Sequence, residues 1–168
     1  MRGYTAYRGQ EPGLTLTFQY PAAWRLQEER GKVDKYRQVR VLGPRNADAT
    51  YTCYVTVRSS PQQSHGGKYE RVEELVRNYK DHQFVGSVVE VDRRKTVAGV
   101  SAYDLTVSYT VPPQHKPNLK PIPIPVKTRT VFLEKSPYLY ELRYSADARE
   151  YGQHSQAFER LLKTLRFQ

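Results

Sequence analysis

Leu14, Leu16, Phe18 and Tyr20 are separated by Thr15, Thr17 and Gln19, the two-residue period of a strand with one buried face. Pro21, which has no N–H to give to a ladder, ends the run. The segments Tyr36 to Leu42 and Tyr51 to Val57 are dense in Val, Tyr and Thr. They are bounded by Gly43-Pro44 and Ser59-Ser60-Pro61, so both read as strands. The period changes after SSPQQSHGG. In KYERVEELVRNYKDH, Tyr69, Val72, Leu75, Val76 and Tyr79 recur at helical spacing. Glu70, Glu73 and Glu74 come early and Arg77 and Lys80 late, the order that complements a helix dipole.

Alternation returns from Val85 to Lys95. VAGV then turns the chain into Tyr103, Leu105, Val107, Tyr109 and Val111, which alternate with Asp104, Thr106, Ser108 and Thr110. A second hairpin runs from Val126 to Lys135 and from Tyr138 to Tyr144 across Ser136-Pro137, with Tyr138, Tyr140, Leu142 and Tyr144 on one face. Asp147 and Glu150, three apart, read as a variant capping box. They open a last helix whose apolar stripe is Tyr151, His154, Phe158, Leu161, Leu162 and Leu165. Strands outnumber helices and come in hairpins, which predicts an α+β fold: an antiparallel sheet with helices laid on its faces.

One segment breaks this pattern. PPQHKPNLKPIPIP, residues 112 to 125, holds six of the eleven prolines and no acid. In an extended chain Pro121, Pro123 and Pro125 would remove donors from one lateral edge, so PIPIPV predicts an edge strand. The segment reads as a stiff, basic hairpin extension of the domain. Its use as a contact arm would employ His115, Lys116, Lys120, Ile122 and Ile124, with Lys127 and Arg129 beside it.

Composition narrows the class. The 168 residues suit a single domain, 1 to 168, and 38% hydrophobic residues can build a core without disulfides. Fourteen tyrosines make that core amphipathic. Cys53 stands alone and reads as a small buried strand residue. No stretch approaches the roughly 20 apolar residues of a membrane span, and no basic leader with an apolar core follows Met1. A net charge of +10 is concentrated in two runs. Lys35, Arg37, Arg40 and Arg45 meet no acid before Asp48, and Lys116, Lys120, Lys127 and Arg129 lie in an acid-free stretch from Leu105 to Leu133. Such a field attracts anions, unless it only solvates the surface.

Chemistry-bearing motifs are scarce. His65, His82, His115 and His154 have no metal-ligand spacing and the single cysteine excludes thiolate frameworks, so neither metal nor cofactor is expected. His154 falls on the apolar stripe and reads as a core-edge histidine. Phosphate-cradling loops and the hydrolase elbow are absent, and the chain reads as non-catalytic. Arg93, Arg94 and Lys95 form a basic run near aromatic strands, a candidate polyanion patch, although no nucleic-acid motif accompanies it and Glu90 and Asp92 precede it.

Three stretches carry a resemblance: GLTLTFQYPAAW, a strand ending in Tyr-Pro-x-x-Trp; KTVAGVSAYDLTVSY, a Gly-Val turn into an aromatic strand; and TRTVFLEKSPYLYELRYSADAREYGQHSQAFERLLKTLRF, a hairpin and terminal helix. Together they resemble the PsbP-like proteins, which share a fold with Mog1 and with DcrB-related envelope lipoproteins. The resemblance implies an α/β/α sandwich with a central antiparallel sheet of about six strands and helices on both faces. It also implies an accessory or adaptor role, binding a protein partner in a bacterial envelope or thylakoid lumen. That location implies a signal or lipoprotein leader, which would have been removed ahead of this sequence. The alternative is a binder of a small anionic ligand or polyanion through the basic surface.

Overall fold

Every alternating run of the sequence becomes a strand, and three further strands form where no alternation is written. The computed structural model describes residues 3–33, 35–112 and 122–168. In chain order the elements are β1 (Tyr4–Arg8), β2 (Leu16–Pro21), β3 (Arg25–Arg30), β4 (Arg37–Arg45), β5 (Thr52–Pro61), α1 (Val72–Asp81), β6 (Val88–Val97), β7 (Val100–Val111), β8 (Ile124–Lys135), β9 (Tyr138–Asp147), α2 (Tyr151–Thr164) and β10 (Arg166–Phe167). Seven strands form one antiparallel sheet in the order β3-β4-β5-β9-β8-β7-β6, and β1-β2-β10 form a second, smaller sheet. The expected six-stranded sandwich is thus corrected to a seven-stranded sheet plus a three-stranded one. The additions are β1 and β3, mostly exposed or half-exposed on both faces and so without a hydrophobic period, and β10, two residues long.

The two faces of the large sheet are read from β9. Tyr140, Leu142, Tyr144 and Ala146 join the principal core with Val39, Val55, Phe18 and, from α2, Phe158, Leu161 and Leu165. Leu139 points the other way and joins Leu105 and Phe132 against Val72 and Val76 of α1. The helices therefore lie on opposite faces, and the small sheet shares the face of α2. Cys53 is buried in the principal core, where burial pushes its thiol up to about 12. His154 sits half-buried with its ring edge-on to Trp24.

Local chemistry corrects three expectations. Gly43-Pro44 does not stop β4: the register slips between Leu42 and Arg45, and the strand runs on through a bulge. A Cβ at Gly43 would lie 2.6 Å from the Cys53 sulfur and 2.8 Å from the Trp24 ring, so only glycine fits there. PIPIPV is not an edge strand. Only its last three residues, Ile124 to Val126, enter the sheet, in β8, which lies between β7 and β9; β3 and β6 are the edges. The lost donor at Pro125 is tolerated because it sits at the mouth of the strand, paired with Thr110, while its carbonyl accepts from the Ala148 N–H at 2.8 Å.

The third correction concerns Asp147 and Glu150, which form no capping box; Glu150 makes no side-chain cap bond to α2. The Asp147 carboxylate is buried and accepts from the Arg149 backbone N–H at 2.9 Å, the Arg149 guanidinium at 2.6 Å and Asn46 Nδ2 at 2.8 Å. Asn46 Oδ1 in turn accepts the N–H groups of Thr50 and Tyr51, so one carboxylate ties the β4–β5 turn to the start of α2. Hydrogen bonds from Arg149 outweigh desolvation and, with those from Asn46, hold Asp147 down to about 2.

Two stability predictions follow from these sites. The β6–β7 turn has φ of 51° at Ala98 and 77° at Gly99, the left-handed pair of a type I′ hairpin, which favours Asn-Gly. Ala98→Asn is expected to raise stability by about 0.5–1 kcal/mol, seen as a higher urea midpoint at unchanged slope. For Asp147 the folded pKa lies below the unfolded one, so its contribution is present above about pH 4 and disappears as pH falls through about 2. Acidification should therefore remove about 2 kcal/mol through this group, and Asp147→Asn should show that loss already at pH 7, with a shallower acid limb in thermal melts.

Candidate functional site

The contact residues expected around the proline-rich segment separate into four sets. His115, Lys116 and Lys120 lie outside the described residues. Ile122 is 77% exposed. Ile124 is buried with Tyr51 and Val126, and Arg129 is only 8% exposed, so these two serve the interior and not an accessible surface. Lys127 is partly buried, its ammonium 3.0 Å from Glu90 and over the Tyr151 ring.

Arg129 belongs to an ion-pair network on the face of α2. Its Nε and Nη2 both donate to the fully buried Asp104 carboxylate at 3.0 Å, Arg93 Nε donates to the same group at 3.0 Å, and Glu159 of α2 takes Nη1. Burial by itself would raise Asp104, but the two guanidiniums outweigh it and hold it below the usual carboxylate range. The basic run Arg93-Arg94-Lys95 is not a single patch, because successive strand residues face opposite ways. Arg93 turns to Asp104, while Arg94 lies over the Tyr103 ring at 3.8 Å and donates to Ser101. Two residues of the other basic run are likewise paired, Arg37 with Glu11 of the β1–β2 connection and Arg40 with Glu29 of β3.

Large hydrophobics that stay exposed gather at one end of the sheet. Phe84, Val85, Val88 and Val89 lead into and begin β6, and Ile122 precedes β8, whose first residue pairs with Val111 at the end of β7. Tyr4 and Val33 are the remaining exposed large hydrophobics among the described residues. The apolar rim thus surrounds the end of the sheet from which the proline-rich connection departs.

On the face of α1 the sheet carries a groove. Toward that face β9 presents Glu141 and Arg143, and β5 presents Thr56 and Arg58 directly opposite them. Arg58 and Arg143 approach Glu141 at 3.9 and 3.5 Å, and the Arg58 guanidinium stacks on the Tyr36 ring at 3.6 Å. The Nε groups of Arg40 and Arg58 are buried without an acceptor among the described residues. Two clefts of about 230 Å³ each open along α1 and share Asn78. One is bounded by Arg58, Lys68, Tyr69 and Glu141, the other by Tyr79, Phe84, Tyr109 and Arg143. Sequence reasoning missed this groove. Arg58 and Arg143 are far apart in the chain and become neighbours only through the β5–β9 register.

Solved structures share this architecture. Cyanobacterial PsbP (CyanoP) from Synechocystis sp. PCC 6803 aligns over 100% of this chain and 94% of its own, with a TM-score of 0.57 and 11% identity. LpqN, involved in cell envelope biogenesis of Mycobacterium tuberculosis, aligns over 98% and 90%, with a TM-score of 0.56 and 17% identity. PA94, a protein of unknown function from Pseudomonas aeruginosa, aligns over 93% and 91%, with a TM-score of 0.54 and 15% identity. No protein-family model and no curated protein sequence matches the chain. The chain has the PsbP-like fold. Among the described residues no helix is long and apolar enough to cross a membrane, and no cluster of His, Cys, Asp or Glu is placed to hold a metal ion.

The Asp104 network makes a definite prediction. Asp104→Asn leaves the Arg129 charge buried with one partner fewer and is expected to cost about 3–5 kcal/mol in urea unfolding. Replacing both Asp104 and Arg129 by leucine should recover most of that loss, since the pair then leaves no orphaned charge.

Proposed function

We propose that this protein is a non-catalytic accessory module of an extracytoplasmic compartment, which docks a protein partner through the end of the sheet where β6 begins and β7 turns into β8. The observation that carries this reading is the apolar rim of Phe84, Val85, Val88, Val89 and Ile122. Isolated exposed hydrophobics are ordinary, but five large ones gathered on both faces of one sheet end favour an interaction surface there. The sequence that joins β7 to β8 carries Lys116 and Lys120 and no acid, which favours a partner with an apolar centre and acidic residues beside it. LpqN's involvement in envelope biogenesis supports the compartment, and the fold it shares with CyanoP supports an accessory role.

The test uses the intact chain as bait in a fractionated native extract, beside Val88→Ser/Val89→Ser and Lys116→Glu/Lys120→Glu variants with unchanged melting temperatures. An acidic protein held at about one-to-one stoichiometry should be lost with the valine pair and weakened at least tenfold by the lysine pair. Retention unaffected by either variant, or no retained protein at all, would sink the proposal.

A further inference from the structure

We propose that the cleft between the C-terminal half of α1 and strands β7 to β9 binds a small organic anion, with its carboxylate or phosphate head on Arg143 and an aromatic body against Tyr79, Phe84 and Tyr109. This site is separate from the docking surface, although Phe84 stands at the border of both.

The head group is defined by what Arg143 lacks. Its Nε donates to Thr130 Oγ1 at 3.1 Å, the one hydrogen bond this guanidinium makes among the described residues. Glu141 approaches Nη2 at 3.5 Å, an attraction without hydrogen-bond length. A guanidinium presents five donors in a planar fork that matches a carboxylate or phosphate. Among the described residues no Asp or Glu lines this cleft, and the Glu141 carboxylate approaches Arg143 from outside its walls. The charge on Arg143 is secure: burial opposes it, but the attraction of Glu141 leads the effects that raise its pKa.

The walls define the body. The Phe84 ring lies 5.0 Å from that of Tyr109, and the Tyr79 ring lies under the Arg143 guanidinium at 5.4 Å. Phe84 is 61% exposed, an aromatic left at the mouth of a cleft whose floor is cationic. Tyr109 is held by a chain of hydroxyls across the sheet: its OH is 3.0 Å from Thr128 Oγ1, which is 2.9 Å from Ser145 Oγ, which is 2.6 Å from the Tyr51 OH. Burial raises the Tyr109 pKa, so the hydroxyl stays uncharged at neutral pH. A volume of about 230 Å³ is below the roughly 300–1,000 Å³ of drug-sized sites, which suits a ligand of one ring.

One feature of the helix opposes an anion here, since the C-terminal end of a helix carries partial negative charge. That end is capped by its own side chains. His82 Nδ1 meets the Asn78 carbonyl at 2.8 Å and Gln83 Nε2 donates to the Tyr79 carbonyl at 2.7 Å, so neither carbonyl is left bare toward the cleft.

Amide NMR titrations of the full ¹⁵N-labelled chain test the proposal, with benzoate, phenyl phosphate, inorganic phosphate and benzyl alcohol as probes. Benzoate or phenyl phosphate should shift the side-chain amide signals of Asn78 and Gln83, and which of the two binds more tightly tells carboxylate from phosphate. Benzyl alcohol and inorganic phosphate should each bind at least tenfold more weakly, because each lacks one half of the match. Arg143→Gln should weaken the tighter probe at least tenfold, with Phe84→Ala as the second variant should Arg143→Gln melt early. Val88→Ser/Val89→Ser should leave the affinity unchanged, which separates this site from the docking surface. Equal binding of benzyl alcohol, equal binding by Arg143→Gln, or no shift with either aromatic anion would overturn it. Inorganic phosphate binding alone would also overturn it, as an adventitious ion only.

Discussion

Coverage is the constraint on which this structure depends. Seven strands at about 4.8 Å spacing make a sheet about 29 Å across, while one helix shields about 10 Å of it. One face solves this with α2 and the small β1-β2-β10 sheet side by side, and its principal core is correspondingly large. Among the described residues, the helix on the other face is α1 alone, ten residues that rest on Leu105, Phe132 and Leu139. Beyond that footprint, the inward positions of β4, β5 and β9 cannot be apolar without exposing a hydrophobic sheet. The chain fills them with Gln38, Arg40, Thr56, Arg58, Glu141 and Arg143, and the groove beside α1 is the consequence.

Charge is handled by the same geometry. The acid-free runs of the sequence look like a free positive field, yet the fold draws acids to them from other elements: Glu11 of the β1–β2 connection to Arg37, Glu29 of β3 to Arg40, Glu90 of β6 to Lys127, Asp104 of β7 and Glu159 of α2 to Arg129. The exposed pairs contribute little to stability and the buried Asp104 group contributes specificity of register, since a one-residue slip of β7 would carry its carboxylate to the opposite face of the sheet. Arg143 differs from these cations. The acid nearest to it, Glu141, is shared with Arg58 and sits at a distance too long for a hydrogen bond.

Alternation made most of the fold legible in advance. The hairpins at Val97 to Val100 and at Ser136-Pro137, α1, α2 and the buried Cys53 follow from period and turn chemistry alone. What escaped has physical reasons. β1 and β3 are largely polar strands whose pairing partner, not their composition, makes them strands. Prolines 121 to 125 dictate loss of donors but not where the strand begins, so an edge was inferred where a strand mouth exists. Of the expected contact residues, Ile124 and Arg129 were hidden by burial, which depends on neighbours remote in sequence. The groove could have been suspected only from arginines at alternate positions on two strands, and their register was not written in either.

The cleft and the apolar rim meet at Phe84, which packs on Tyr109 from the exposed end of α1's connection to β6. An aromatic anion seated on Arg143 would meet that ring on the face of the sheet to which Val89 also turns. Binding of ligand and of partner would then be coupled, and linkage requires the effect to be mutual: a partner that prefers the ordered ring raises ligand affinity by the same factor. The shortfall of helix cover that leaves the groove open thus also places it within reach of the apolar rim.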